Sequence, residues 1–555
     1  MESRTDGAGL FGLLSFPIDC GLVLKHLNQD MRDDWFTDVI GYRDLFSKKD
    51  DLQNVLSRLL EEGNGQYPGV SRNLCDIPKK GLGLRYALET DFYDRFIYQA
   101  ICSFLIKYYD PILSNRVFGH RWNSPSGRSK CLFKSRIGLW QTFEGITYAS
   151  LVNENTLVVT DLINYFENIS INSIRIAFLS KLSEVKANGY EKLQIRNAIK
   201  TMCLLLEKWS YSERHGLPQN RDCSSFIANV VLSDVDHKMV EMGHDYFRYV
   251  DDIRIVCADK RRARKAISDL ISQLRTVGMN INSAKTAILE TPQDEQVANF
   301  FPAIDSRTIA IDGMWKSKSR RVIARSVPLV CKMLAELVAS SDTQSRQFRF
   351  AVNRLKILLE AGLFLSKSDA SAELAGLIIS ALDSQPASTD QFCRILSLIE
   401  FPETEIQRIE RYLIDSVISI HPWQNYHLWI LLAFKNYKSE ALVSLAEARI
   451  TNNSMSAEVP AIFAYLASVD KDSNSLKYAA TILNPDWPFQ HQRYLLLSTR
   501  NFDKEFLQPL FGKIGIRFKG TAARAKSHLS EGGSIVRLPE ASNILKIYDE
   551  ISVYD

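Results

Sequence analysis

Strand-forming runs stop near residue 310, and that break constrains the chain more than any other feature. Before it, helical segments alternate with short β-rich runs such as NTLVVTDL (155–162) and YFRYV (246–250). After it, amphipathic helices follow one another. In QFRFAVNRLKILLE (347–360), Phe348, Val352, Leu355 and Leu359 recur at steps of four, three and four, which is one face of a helix. SDASAELAGLIISALDS, TEIQRIERYLIDSVISI, QNYHLWILLAF, SEALVSLAEARI and AEVPAIFAYLASV continue the pattern, separated by SKSD, SQPAST, FPET, NNS and KDSNS. Helices of about 10–15 residues on short loops predict an α-helical repeat or a bundle, here without a fixed-period consensus. DGMWKSKSRRVIARSVP (312–328), basic and Ser-rich, reads as a connector. An α+β part followed by an all-α part also suits 555 residues, too many for one ordinary core.

Hydrophobic content of 46% and charged content of 24% are those of a soluble globular chain. The net charge of +4 permits a nucleic-acid partner without indicating one. Nine cysteines are scattered with no CxxC pair and sit mostly in apolar runs, as Cys257 does in IRIVC, so they read as free thiols of a reducing cytosol. No run approaches the roughly 18 apolar residues of a membrane span, and MESRTDGAGLFGLLSFPIDC is too short and poorly flanked for a signal peptide. The expected location is the cytoplasm, with no membrane partner. HPWQNYHLW (421–429) holds two histidines without a third ligand and is not read as a metal site.

The chemistry concentrates in the first part. LVVTDLINYFENIS (157–170) begins as a buried strand and changes character at Asp161, where a carboxylate is costly unless paired or bound to metal. FRYVDDIRIV (247–256) reads as a hairpin turning at Asp251-Asp252. If the two strands are neighbours in one sheet, Asp161 and Asp251 lie side by side. Three carboxylates in that space repel unless hard cations neutralise them, and oxygen ligands point to two Mg2+ or Mn2+ ions and phosphoryl transfer. Taken alone, YVDD is more simply an exposed Asp-rich turn.

The ordered set is more specific. IPKKGLGLRYALETDFYDRFIYQAICSFLIKYYDPILSNRVFGHR (77–121), DLINYF (161–166), HGLPQNRDCSSFIANVVLSDVD (215–236), YVDD (249–252) and LISQLRTVGMNINSAKTAIL (270–289) follow in order. Over about residues 70–290 the chain resembles reverse transcriptases of the bacterial retron, group II intron and defence-associated lineage. The resemblance implies that Asp161, Asp251 and Asp252 hold the metals with the Leu162 carbonyl, and that Lys285 acts as proton donor near the leaving pyrophosphate. It implies that Lys79 and Arg85, on a hairpin flexed by Gly81 and Gly83, reach the triphosphate. Phe166 would lie under the sugar and exclude a 2′-hydroxyl, selecting deoxynucleotides, while Gln219 positions the template base. Tyr249, Asn220 and Ser224 would face primer and template, with Ser224 and Asn229 packing their helix. Asn220 departs from the family's usual glycine, and asparagine tolerates left-handed backbone better than most residues.

The layout resembles the abortive-infection reverse transcriptases of the AbiK type. That resemblance implies a right-hand fingers and palm with an N-terminal helical extension over 1–70, fingers and palm over 71–310, a basic connector over 311–325 and a HEAT-like helical repeat over 326–555. It further implies anti-phage DNA synthesis that can proceed without a template, primed by a tyrosine hydroxyl, with single-stranded DNA left attached to a trimer or hexamer. The priming residue is open among 21 tyrosines, Tyr42 and Tyr67 included. A conventional RNA-templated enzyme of retron or intron type, working with a structured noncoding RNA, is the alternative. A catalytically inactive helical scaffold is the second, and a diguanylate-cyclase-like palm ranks below both. Trp122, Trp140 and Trp209 read as packing before base stacking, and His215 equally as a cap or a nucleic-acid contact. KSKSRR (316–321) and WSYSERHG (209–216) read as a solvated charge run and a loop tip.

Overall fold

The computed structural model describes residues 14–523 except 48, 125–130, 154, 211–214, 294–295, 302–304 and 471, together with Val536. The tip of WSYSERHG therefore lies outside the described residues. The chain forms two compact units: Met1–Trp35, Leu45–Leu74 and Ala87–Phe301 make the first, and Phe36–Asp44, Cys75–Tyr86 and Pro302–Asp555 the second. A two-stranded hairpin, β1 (Asn73–Pro78) and β2 (Leu84–Glu89), groups its tip with the second unit.

The first unit is built on a four-stranded antiparallel sheet. Its strands are β3 (Thr156–Thr160), β4 (Asp245–Tyr249), β5 (Asp252–Cys257) and β6 (Ala287–Leu289), in the order β4-β5-β3-β6. All five residues of β3 are buried, which explains its unbroken TLVVT run: a strand covered on both faces has no polar side to alternate. The unit also holds helices α1 (Cys20–Asp30), α2 (Phe92–Tyr109), α3 (Arg136–Val152), α4 (Ile171–Ser180), α5 (Gly189–Trp209), α6 (Asp222–Glu241) and α7 (Lys260–Arg275). α3 packs on β3, β4 and β5, α7 on β3 and β5, and α6 on β4. α7 shows the pattern that permits this, burying Ala263, Ala266, Leu270 and Leu274 at helical spacing while its basic residues face water.

The second unit stacks helices in two rows. One row runs Val327–Ala339, Asp369–Ser380, Glu403–Ile414, Glu440–Asn452 and Asn474–Ile482; the other runs Arg346–Glu360, Thr389–Leu398, Pro422–Lys435, Val459–Val469 and Phe489–Ser498. Each helix packs on its row neighbours and on its sequence partner in the other row, so every pair buries the apolar stripe its neighbours leave open. Arg493 closes this unit internally: its buried guanidinium grips Asp38 (2.6 and 3.1 Å) and Asp44 (2.8 and 3.0 Å). Residues 311–325, expected as a connector, are largely helical, in Ser306–Lys316 and Arg320–Ala324. The expected helix through ISI ends at Ile414, where Asp415 turns the chain and leaves Val417 and Ile420 exposed. Among the described residues no helix is long and apolar enough to cross a membrane.

Candidate active site

Sheet register builds the centre. Thr160 pairs with Ile253 across β3 and β5, so Asp161, the next residue, leaves its strand beside Asp252, where β5 begins. Tyr249 pairs with Asp252, which makes Val250-Asp251 the two-residue turn, one position earlier than the sequence suggested. The reason is backbone conformation: Val250 adopts φ 57°, left-handed backbone that a β-branched residue rarely takes, and this closes the turn before Asp252.

Beyond Asp161 the chain is held by the 280–286 loop. Asn282 N–H donates to the Asp161 carbonyl (2.8 Å) and Ile163 N–H to the Asn280 carbonyl (3.1 Å), flanking a bridge between Leu162 and Ile281. The Leu162 carbonyl takes no part in that pairing. Because β6 pairs with β3, the same loop carries Lys285 to Asp161, with Nζ 2.5 Å from Oδ2. The lysine side chain is 66% exposed and the aspartate 12%. Asp161 Oδ1 is buried without a hydrogen-bond partner. The Asp251 carboxyl is pushed up to about 7, first by burial, then by the charge of Asp252, with Asp161 adding to it and Lys285 opposing.

Among the described residues no group of three or more His, Cys, Asp or Glu side chains is gathered closely enough to hold a metal ion. The donors nonetheless suit a hard divalent cation. The unpartnered buried oxygen of Asp161, the Leu162 carbonyl outside the bridge pairing and the Asp251 carboxyl, which resists ionising beside Asp252, are oxygen donors of the kind such a cation takes.

The GLPQN loop lies against the segment after Asp161. Leu217 N–H donates to the Phe166 carbonyl (2.9 Å), Gly216 N–H to the Ile169 carbonyl (3.0 Å), and Ser170 bridges His215. Gln219 Nε2 donates to Glu167 Oε1 at 3.0 Å, a partner with no motif signal in the sequence. Asn220 sits at φ 56°, left-handed backbone that asparagine tolerates better than most residues. Arg221 is buried and anchors the loop to Asp34 and Glu89. Phe166 is half-buried, its ring 4.8 Å from that of Tyr165. Ser224 is fully buried and bonded to Tyr98 (3.0 Å), so it supports the loop's helix and presents no side chain to a primer or template. Tyr249 donates to the Arg136 carbonyl (3.1 Å) and stands edge-on to Trp140 at 4.9 Å, and Trp209 is buried with Nε1 on Asp94, so both tryptophans pack. Trp122 is bridged to Phe133.

Lys79 and Arg85 lie on the hairpin grouped with the second unit; Lys79 N–H donates to the Gly83 carbonyl (2.8 Å), and Gly81 at φ 83° allows the tip to turn. Tyr42 and Tyr67 are both buried, the latter donating to Asp94 at 2.8 Å, which removes each as a solvent-facing priming hydroxyl.

Residues 95–350 match the family described as reverse transcriptase (RNA-dependent DNA polymerase). Retron Ec86 reverse transcriptase of Escherichia coli is 23% identical over 190 residues, 34% of this chain and 53% of that protein. The chain thus spans about half the length of the curated relative it matches. The paired acids, the lysine held against Asp161 and the matched span agree: residues 95–350 are similar to reverse transcriptases, and part of the chain is similar at low identity to a bacterial retron enzyme.

Proposed function

We propose that this chain is an RNA-directed DNA polymerase that adds deoxynucleotides using two divalent cations, most simply Mg2+. The observation that carries the reading is the unpartnered buried oxygen of Asp161 beside Lys285, next to the hairpin whose turn holds Asp251 and whose second strand opens at Asp252. Held by Asp161, Asp251, Asp252 and the Leu162 carbonyl, such cations would supply Lewis acidity to the attacking hydroxyl and the phosphate under attack. Lys285 is positioned to hold a proton at Nζ for the leaving pyrophosphate. Phe166 would fill the space below the sugar, Gln219 and Asn220 would set the template base through their fixed loop, and Lys79 and Arg85 would grip the triphosphate.

The stacked helical rows joined to such a domain support a role in anti-phage defence of the abortive-infection kind. The similarity to a retron enzyme favours templated synthesis with a structured RNA over template-free, protein-primed synthesis, and burial of Tyr42 and Tyr67 points the same way. Purified protein supplied with deoxynucleotides and Mg2+, with and without nuclease pretreatment, tests both levels. Incorporation abolished by Asp251→Ala and by prior ribonuclease is expected. No incorporation with any template refutes the polymerase. Product formed after nuclease treatment and attached to protein replaces the templated reading with the protein-primed one.

A further inference from the structure

The hairpin that carries Asp251 holds a conformation its own sequence resists. Val250 is β-branched and left-handed, a strained state that persists only where the surroundings over-determine it. Those surroundings converge on one side chain. Arg248, two residues earlier on β4, is fully buried; its Nη1 donates to the Val250 carbonyl and to Asn229 Oδ1, both at 2.8 Å. Its Nε and Nη2 grip Asp236 at 2.8 and 2.6 Å, and Tyr246 donates to the same carboxylate at 3.0 Å. The Arg248 backbone is fixed as well, by N–H to the Arg116 carbonyl and by its own carbonyl from Phe118 N–H. Behind the turn, Gly119 leaves room for it: a Cβ there would stand 2.7 Å from Val250 Cγ2 and 2.9 Å from its nitrogen.

The geometry points to Arg248 as a positioning residue that clamps the strained Val250 carbonyl and thereby fixes the Asp251 carboxylate beside Asp161, where both would hold a divalent cation. The inference rests on the reading of Asp251 as a metal ligand. A buried arginine paired with aspartate would satisfy a purely structural role, but such a role has no need of the fork that reaches the turn carbonyl. It would also be indifferent to which residue occupies position 250.

The test is a Mg2+ titration read by the rise in melting temperature of the full chain without nucleotide. Arg248→Lys keeps the charge facing Asp236 and loses the fork. It should raise the Mg2+ midpoint about tenfold in the natural background and by less than about twofold when combined with Val250→Gly, since glycine adopts the left-handed state unaided. An equal rise in both backgrounds overturns the clamp. Gly119→Ala disturbs the turn with the Arg248–Asp236 pair intact and should raise the midpoint similarly; no rise overturns the inference even where Arg248→Lys fails to fold. Absence of any Mg2+ response in the unmodified protein removes Asp251 as a ligand, a failure distinct from the other two.

Discussion

Replacing Lys285 with methionine should move cation binding and turnover in opposite directions. Its ammonium lies 2.5 Å from Asp161 Oδ2, on a carboxylate whose other oxygen is buried and unpartnered. A cation arriving at Asp161 must displace or share that contact, so the lysine competes with it. The lysine is 66% exposed and the aspartate 12%, which puts the pair near the upper end for surface ion pairs, about 1 kcal/mol after solvent screening. Removing the competitor should tighten the Mg2+ midpoint about fivefold, by the same energy expressed as a binding constant. Incorporation at saturating Mg2+ should fall about hundredfold, the scale of a lost general acid. Thermal shift against Mg2+ gives the first number and single-nucleotide extension the second. A weaker midpoint in Lys285→Met would refute the competition, and undiminished extension would refute the proton role.

Because the Asp251 carboxyl is raised from 3.8 to about 7, its favourable contribution to the metal-free fold is complete below about pH 4 and lost as pH rises through 7. The melting temperature of metal-free protein should therefore fall across that window and Mg2+ should restore more of it at pH 8 than at pH 6; an equal restoration counts against the assignment. Arg493→Met leaves Asp38 and Asp44 buried without their counter-charge and should destabilise the second unit by about 3–5 kcal/mol in its denaturant transition, a loss under about 1 kcal/mol being incompatible with the clamp. Glu167→Ala frees Gln219 and should raise the template requirement about tenfold with the Mg2+ midpoint unmoved; a shifted midpoint would mean that Glu167 serves the metal instead.

Legibility followed the range of the interaction. Helical stripes such as Phe348, Val352 and Leu355 are local, and all three are buried where the spacing placed them. Thr389–Leu398, Asn474–Ile482 and Phe489–Ser498 were not singled out; for Asn474–Ile482, the KDSNS run that read as a breaker supplies the helix's cap, Ser473 accepting from Leu476 N–H. The acids Asp161, Asp251 and Asp252 stood out for their cost in apolar runs, but the residues that hold them did not. Arg248, Asp236 and Gly119 lie up to 129 positions apart in residue number from Gly119 to Arg248, and nothing in a single sequence pairs a strand arginine with a helix aspartate. Glu167 was hidden by a different rule: an acid in a one-turn helix is ordinarily solvated.

The turn itself was misplaced by one residue for a physical reason that bears on function. Hairpin chemistry favours asparagine, aspartate or glycine at both central positions, so Asp251-Asp252 is the natural choice and valine the poor one. The fold takes the poor choice, and the consequence is inequivalence. Asp252 opens β5 and is fixed by pairing with Tyr249, whereas Asp251 remains in the turn, half-buried against its neighbour's charge and reluctant to ionise. Two identical adjacent side chains thus acquire different surroundings, the condition under which paired carboxyls divide their labour. A relaxed turn at Asp251-Asp252 would have left both acids in the loop. Local strain at Val250 is therefore a local rule that the sequence breaks beside the proposed site, as the clamp by Arg248 leads one to expect of a strained functional turn.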